Sequence, residues 1–358
     1  MSALAGIRVG APDRVSQERA RAHQARLTKP AGSLGRLEEL ALELAAIQGT
    51  DQPSARDAAA LLFAADHPVT RHGVSAYPAA VTRAMLRNFV QGGAAASVLS
   101  QQQRIALHVI DVGVLPADEA SDNSLRSAAA RSYRDPVADD PAGDIRVEDA
   151  MSTSTLERAV FAGRRAVAEL GPATRVVLLG EMGIGNTTVA SSVCAGLLGG
   201  DAREFVGAGT GVMGSALQAK QRVVEDAVAR LGGETDPLEV VRRCGGRDIA
   251  ALLGAMAEAA SRRLAIVVDG FISTAAALAL TRALPVARGF MIFSHRSQER
   301  GHVRVLEALD ARPLLDLSLR LGEASGALVA YPLLELSCAL HGGMATFESA
   351  AVPEQDAE

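Results

Sequence analysis

Residues 178–192 read LLGEMGIGNTTVASS, and the groups in the middle of that stretch could do chemistry. An apolar run ends on Glu181, passes Gly183 and Gly185, and enters helix-like sequence through Asn186, Thr187 and Thr188. Glycines reach backbone angles that other residues avoid. Successive N–H groups in such a turn, followed by a helix N-terminus, form a concave anion site, to which Asn186 and Thr187 would add side-chain donors. Three readings stand: a plain tight turn, a phosphate cradle, or an active site with its own carboxylate. The stretch is not a Walker A loop, because no lysine follows the last glycine. Nor is it a G-x-G-x-x-G fingerprint, because Thr188 takes the third glycine position.

A second glycine loop follows in VGAGTGVMGSALQAK (206–220), where Gly209, Gly211 and Gly214 do fit G-x-G-x-x-G and open a helix. As a dinucleotide signal it is weak: only EFV precedes it, and no convincing strand-end acid follows about 20 residues on. With Lys220 it reads as a second phosphate wall; the alternative for that lysine is a solvated helix face. In LRLGEASGALVAYPLLE (319–335), Glu323 lies between two glycines where a strand gives way to a helix. A carboxylate there is either a helix N-terminal charge or a general base. Asp66-His67, Asp111, Asp269 and Ser294-His295-Arg296 also follow apolar runs directly. Singly, each could cap a helix or tie down a loop. In an open parallel sheet they share one edge with Glu181, at the carboxyl ends of the strands, where ligands bind.

The elements that must position these groups are short apolar runs alternating with longer helix-like segments. Candidate strands are 61–66, 105–113, 175–181, 264–270 and 289–295, with a weaker sixth at 314–323. Continuous apolar runs are buried on both faces, as in a parallel sheet covered by helices. The spacers fit crossover helices: in 154–171 Ser154 and Glu157 have capping-box spacing, and 215–233 ends at glycines. The expected class is α/β, a doubly wound, mostly parallel sheet with helices on both faces. Residues 1–49, with Leu34, Leu37, Leu40 and Leu44 on one face, and 325–358 are expected to meet as a small helical domain beside a large catalytic domain at 50–324. The acidic, Pro- and Gly-bearing segment 133–152 reads as an exposed loop.

Composition narrows the function. The chain has 358 residues, 48% of them hydrophobic, with 3% aromatics and no tryptophan, so the core must be Ala, Leu and Val and no stacking surface for single-stranded nucleic acid is expected. The net charge of −5, with Lys and Arg spread along the chain, disfavours nucleic acid and anionic membrane as partners. Three distant cysteines, Cys194, Cys244 and Cys338, form neither a disulfide framework nor a zinc site and suit a reducing compartment. The N-terminus lacks the apolar core of a signal peptide, and charges break the apolar segments before the roughly 18 residues a membrane span needs. A cytoplasmic location is expected.

Read in order, KPAGSLGRLEELA, AADH…GVSAYPAAVTRAMLRNFVQGGAAASVL, GEMGIGNTTVASS, GAGTGV, VDGFISTAAALAL, SHRSQERGH and LRLGEASGA resemble the nicotinate-nucleotide–dimethylbenzimidazole phosphoribosyltransferase family of cobalamin lower-ligand synthesis. The resemblance spans about residues 28–349. It implies a Rossmann-like large domain, a small domain from both termini, a homodimer, and transfer of phosphoribose from nicotinate mononucleotide to 5,6-dimethylbenzimidazole. It implies no organic cofactor and no catalytic metal. By the same resemblance Glu323 is the general base and Glu181 a second active-site carboxylate. Gly183, Gly185, Asn186, Thr187, Gly209, Gly211 and Lys220 surround the nucleotide phosphate, and Tyr77, Pro78 and Met85 belong to the pocket for the aromatic base. The chain departs from the usual pattern at Pro68, Arg71, His72 and Ala208, near the base pocket and the phosphate wall. Those departures bear on the acceptor, and transfer to a purine or phenolic base is the first alternative. A nucleotide-binding regulator without turnover is less consistent with two retained glutamates, and a dinucleotide-dependent oxidoreductase is a distant third.

Overall fold

Runs of Ala, Val and Leu without a polar face form the strands, and the helices between them carry the polar surface. The computed structural model describes residues 3–115, 130–209 and 211–353. The chain begins with helices α1 (Arg14–Arg26) and α2 (Arg36–Gln48), strand β1 (Ala58–Ala65), helices α3 (Ala80–Gln91) and α4 (Ala95–Gln103), and strands β2 (Ala106–Gly113) and β3 (Arg131–Arg134). Helix α5 (Thr153–Ala168) leads to β4 (Val176–Met182), followed by α6 (Asn186–Leu198), α7 (Gly214–Leu231), α8 (Pro237–Cys244) and α9 (Arg247–Ser261). The remainder is β5 (Ala265–Val268), α10 (Phe271–Ala283), β6 (Met291–Phe293), α11 (His302–Ala308), α12 (Ser325–Gly343) and the single turn α13 (Phe347–Ala350).

The six strands pair in parallel in the order β3-β2-β1-β4-β5-β6. Successive side chains of a strand point to opposite faces, and every residue of β4 and β5 is buried. Both faces of the sheet are therefore covered. The strand order reverses between β1 and β4, and the crevice outside their carboxyl ends is where such sheets bind ligands.

The chain's ends come together through paired contacts. Leu27 forms an antiparallel bridge with Thr346. His23 Nε2 donates to the carbonyl of His341 at 2.9 Å, and the buried His341 is itself fixed between Gln24 and the carbonyl of Asp51. Leu40, Leu44 and Ile47 of α2 and Leu328 and Leu334 of α12 belong to the same hydrophobic core as the strands. Pro332 sits inside α12. It has no N–H to offer the carbonyl four residues back, and the Gln103 amide donates to that carbonyl, Leu328 O, at 2.8 Å. The outer ends of the expected terminal unit, residues 1–2 and 354–358, lie outside the described residues.

Three local expectations are corrected. Residues 314–323 do not form a regular strand: Leu314, Leu315 and Leu319 exchange backbone hydrogen bonds with residues 293–298 around the single bridge His295 to Leu315, and Ser318 turns to a positive φ that interrupts the extended run. The N-cap of α5 is Ser152, whose hydroxyl accepts from Thr155 N at 3.1 Å, so the capping pair Ser154–Glu157 is not used. Segment 133–152 is not an exposed loop. Its first two residues complete β3, and Asp135, Val137, Asp144, Ile145 and Met151 are buried. The buried Arg247 donates to the carbonyls of Val137, Ala138 and Asp140, which lets that polar backbone sit inside.

Helices α5 and α9 cross where each has a glycine: a Cβ on Gly163 would run into the carbonyl of Ala251, and one on Gly254 into that of Val160. Neither backbone can retreat, because both helices pack into the core. Gly254→Ala is expected to destabilise the fold by about 1–3 kcal/mol through overpacking, read from urea unfolding midpoints; an unshifted midpoint would contradict this tight crossing.

Candidate active site

Glu181 is the penultimate residue of β4 and is buried. Its neighbour Gly180 is glycine for a steric reason: a Cβ there would collide with the backbone of Ala324. That close approach brings the turn before α12 onto β4. Gly322, Glu323 and Ala324 form the turn, with φ of 83°, 62° and 60°. For Glu323 and Ala324 this left-handed backbone is strained, typically by about 1–3 kcal/mol per residue. A Cβ on Gly322 would lie 2.7 Å from Glu181 Oε1, so the two glutamates, far apart in sequence, meet at one place.

Two further buried acids act on them. Asp269, just after β5, accepts from Ala327 N at 3.0 Å and so caps the first turn of α12 from outside the helix. Asp248, in the first turn of α9, faces His67 Nε2 at 3.2 Å. Burial first, then the charges of Asp248, Asp269 and Glu323, hold the Glu181 carboxyl well above the usual carboxylate range. Burial and the charge of Asp269 push Glu323 up to about 7. A carboxyl that titrates there is matched to proton abstraction at neutral pH.

The glycine loops converge at the second residue of α6, Thr187. Lys220 is fully buried, and its Nζ donates to Thr187 Oγ1 at 2.9 Å and to the carbonyl of Gly207 at 3.0 Å. The solvated-face alternative for this lysine is therefore excluded. A Cβ on Gly209 would lie 2.8 Å from Thr187 Oγ1 and 2.9 Å from Lys220 Nζ, so the second loop closes over the end of the first. Burial lowers the ammonium to about 8. Gly183 and Gly185 pack under the turn, against His67 and against Val69 and Thr70. Gly211 is exposed, with a φ of 105°. Asn186 differs from the expectation: its side-chain amide donates to Glu181 Oε2 and is not left for an anion. Adjacent residues of α6 thus connect the two halves, Asn186 to the Glu181 carboxyl and Thr187 to the ammonium.

The expected base wall is less concentrated. Tyr77 is 54% exposed and Pro78 is exposed, whereas Met85 is partly buried against the core. Thr82 Oγ1 accepts from Ile184 N at 3.1 Å, which ties α3 to the first glycine loop. Of the strand-end acids, Asp66 and Asp111 hold loops: Asp66 accepts from Leu115 N, and Asp111 from Gly113 N, Val114 N and Arg134. Pro68 starts a short 3-10 turn, and His72 at its end meets Asp144 at 2.7 Å, with Arg71 at 3.6 Å from the same oxygen. Ala208 is exposed. Sequence reasoning missed Asp248; its only local mark is the Gly245-Gly246 pair before it, and its partner His67 is remote in sequence. Among the described residues no group of His, Cys, Asp and Glu side chains could hold a metal ion, and no helix is long and apolar enough to cross a membrane.

A raised carboxyl destabilises the folded chain at neutral pH. The folded state keeps the Glu323 proton between about 4.5 and about 7, where the unfolded chain has lost it, so this group's contribution falls as pH rises through that window. Glu323→Gln is expected to raise the melting temperature relative to the parent at about pH 8 and much less at about pH 4. Calorimetric melts at both pH values check this, and an equal difference at the two would contradict it.

A phosphoribosyltransferase family model matches residues 9–352. Among curated relatives, the nicotinate-nucleotide–dimethylbenzimidazole phosphoribosyltransferase of a Bradyrhizobium strain is 47% identical over 350 residues, covering 97% of each chain. The enzyme of the same name from Xanthomonas axonopodis pv. citri is 45% identical, covering 96% of each. A crystal structure of the Thermus thermophilus protein of that name superimposes with a TM-score of 0.87 at 38% identity, over 96% of this chain and 100% of that one. With the sheet order, the converging glutamates and these matches together, the chain belongs to the nicotinate-nucleotide–dimethylbenzimidazole phosphoribosyltransferase family.

Proposed function

We propose that this protein transfers phosphoribose from nicotinate mononucleotide to 5,6-dimethylbenzimidazole, releasing nicotinate and forming α-ribazole 5′-phosphate. The observation that carries the reading is the pairing at the start of α6: the buried carboxyl of Glu181 meets Asn186 and a buried ammonium meets Thr187 one residue later. A phosphate held at Lys220 and the glycine loops would place its sugar toward Glu181 and Glu323.

In this reading the C1′–N bond of the mononucleotide breaks, and its electron pair neutralises the pyridinium nitrogen. The leaving group needs no general acid. Positive charge grows at the anomeric carbon, where nearby carboxylates stabilise it. A benzimidazole nitrogen donates its lone pair to that carbon, and the proton on the other ring nitrogen passes to Glu323. Holding the phosphate fixes the sugar for this attack.

Glu323→Gln is expected to lower turnover by about 10²–10⁴-fold. In the parent, kcat/KM for the mononucleotide should rise with pH through about 7, as Glu323 ionises, and fall through about 8, as Lys220 loses its charge. Unchanged turnover in Glu323→Gln would remove it as the base. Lys220→Ala is expected to raise the KM for the mononucleotide more than it lowers kcat, the behaviour of ground-state binding; an unaltered KM would take Lys220 out of the phosphate site. Incubation with nicotinate mononucleotide and a panel of benzimidazole, purine and phenolic bases tests the acceptor. Absence of nicotinate release with dimethylbenzimidazole would sink the proposal, and release with another base alone would move it to that acceptor.

A further inference from the structure

A third buried glutamate stands beside the phosphate wall, in the loop between β6 and α11. That loop packs on residues 205–207: a Cβ on Gly301 would lie 2.8 Å from the Cα of Phe205, and a Cβ on Gly207 would collide with Oε2 of Glu299. Glu299 is 7% exposed, and its Oε2 is buried without a hydrogen-bond partner. The loop is held firmly around it. Ser297 N donates to His302 Nδ1 at 2.9 Å, His302 N donates to the carbonyl of Glu299 at 3.0 Å, and His302 Nε2 meets Thr274 Oγ1 at 3.0 Å.

A buried carboxylate is costly unless an opposite charge compensates it. The cation on which its charge acts is Lys220, whose Nζ donates to the carbonyl of Gly207, the residue that Glu299 packs against. Gly207 therefore has a carboxylate on one side and an ammonium on its oxygen. The groups facing that ammonium are the Thr187 hydroxyl from α6, the Gly207 carbonyl from the glycine loop, and the charge of Glu299 from the loop after β6. Burial works against the charged lysine and Glu299 works for it. Since Glu299 Oε2 is sealed in protein, it acts through the lysine.

Resting on the phosphoribosyl-transfer reading, we propose that Glu299 is a positioning residue for mononucleotide binding, the counter-charge that fixes the Lys220 ammonium against the Gly207 loop for the incoming phosphate. Without that charge only the hydrogen bonds to Thr187 and Gly207 are set against burial, and the ammonium loses its proton at lower pH. An opposite charge nearby is worth about 1–3 pK units.

The test is calorimetric titration of the full-length parent, Glu299→Gln and Glu299→Asp with nicotinate mononucleotide, from about pH 6 to about pH 9, with melts to verify that each is folded. Parent affinity should decline through about pH 8. In Glu299→Gln the decline should set in about one unit lower, leaving binding roughly fivefold weaker near pH 8, approaching tenfold near pH 9, and nearly equal near pH 6. Glu299→Asp should restore the parent profile. Superimposable profiles, or a deficit of the same size at every pH, would overturn the assignment. Turnover with dimethylbenzimidazole is measured on the same parent sample: binding with the expected pH profile but no nicotinate release would defeat the transfer reading and leave Glu299 in its role, whereas no binding by the parent would defeat both.

Discussion

Mutual repulsion among buried acids is the constraint on which the site depends. Asp248, Asp269 and Glu323 act on Glu181, and Asp269 acts on Glu323, where little water screens them, and like charges so placed resist simultaneous ionisation. Contacts elsewhere in the fold must offset this arrangement. Gly180 admits the Ala324 backbone, Asp269 caps α12, and two non-glycine residues accept left-handed angles. The same repulsion becomes favourable when a cationic ring or an electron-poor anomeric carbon enters among the acids.

Helix α6 keeps unlike functions apart at short range. Its first residue touches Glu181 and its second touches the Lys220 ammonium, so groups of opposite character stand one residue apart. The reversal of strand order between β1 and β4 provides the crevice, and the tie between Thr82 and Ile184 sets one wall of it.

Much of this was legible in the sequence because the signals are local. Continuous apolar runs marked five of the six strands, and the glycines around Glu181 and Glu323 marked backbone that must approach closely or turn left. Strand β3 was not legible: RSYR has no apolar run, and its pairing with β2 is a tertiary fact. The burial of segment 133–152 depends on Arg247, about a hundred residues away, donating to its carbonyls. Asn186 was assigned to phosphate from its place in a glycine turn, but the proximity of Glu181 on the strand claims its amide. Asp248 and Glu299 leave no local pattern, since what makes each notable is a partner brought up by the fold.

Pro332 gives α12 a consequence of its own. The helix presents Glu323 at one end and is anchored at the other by His341 to the first helix of the chain. A proline in its middle, with the orphaned Leu328 carbonyl taken by Gln103, replaces a rung of the helical ladder by a side-chain strut from α4. The helix that follows Glu323 is thereby braced laterally by α4 at the one rung its own backbone cannot supply.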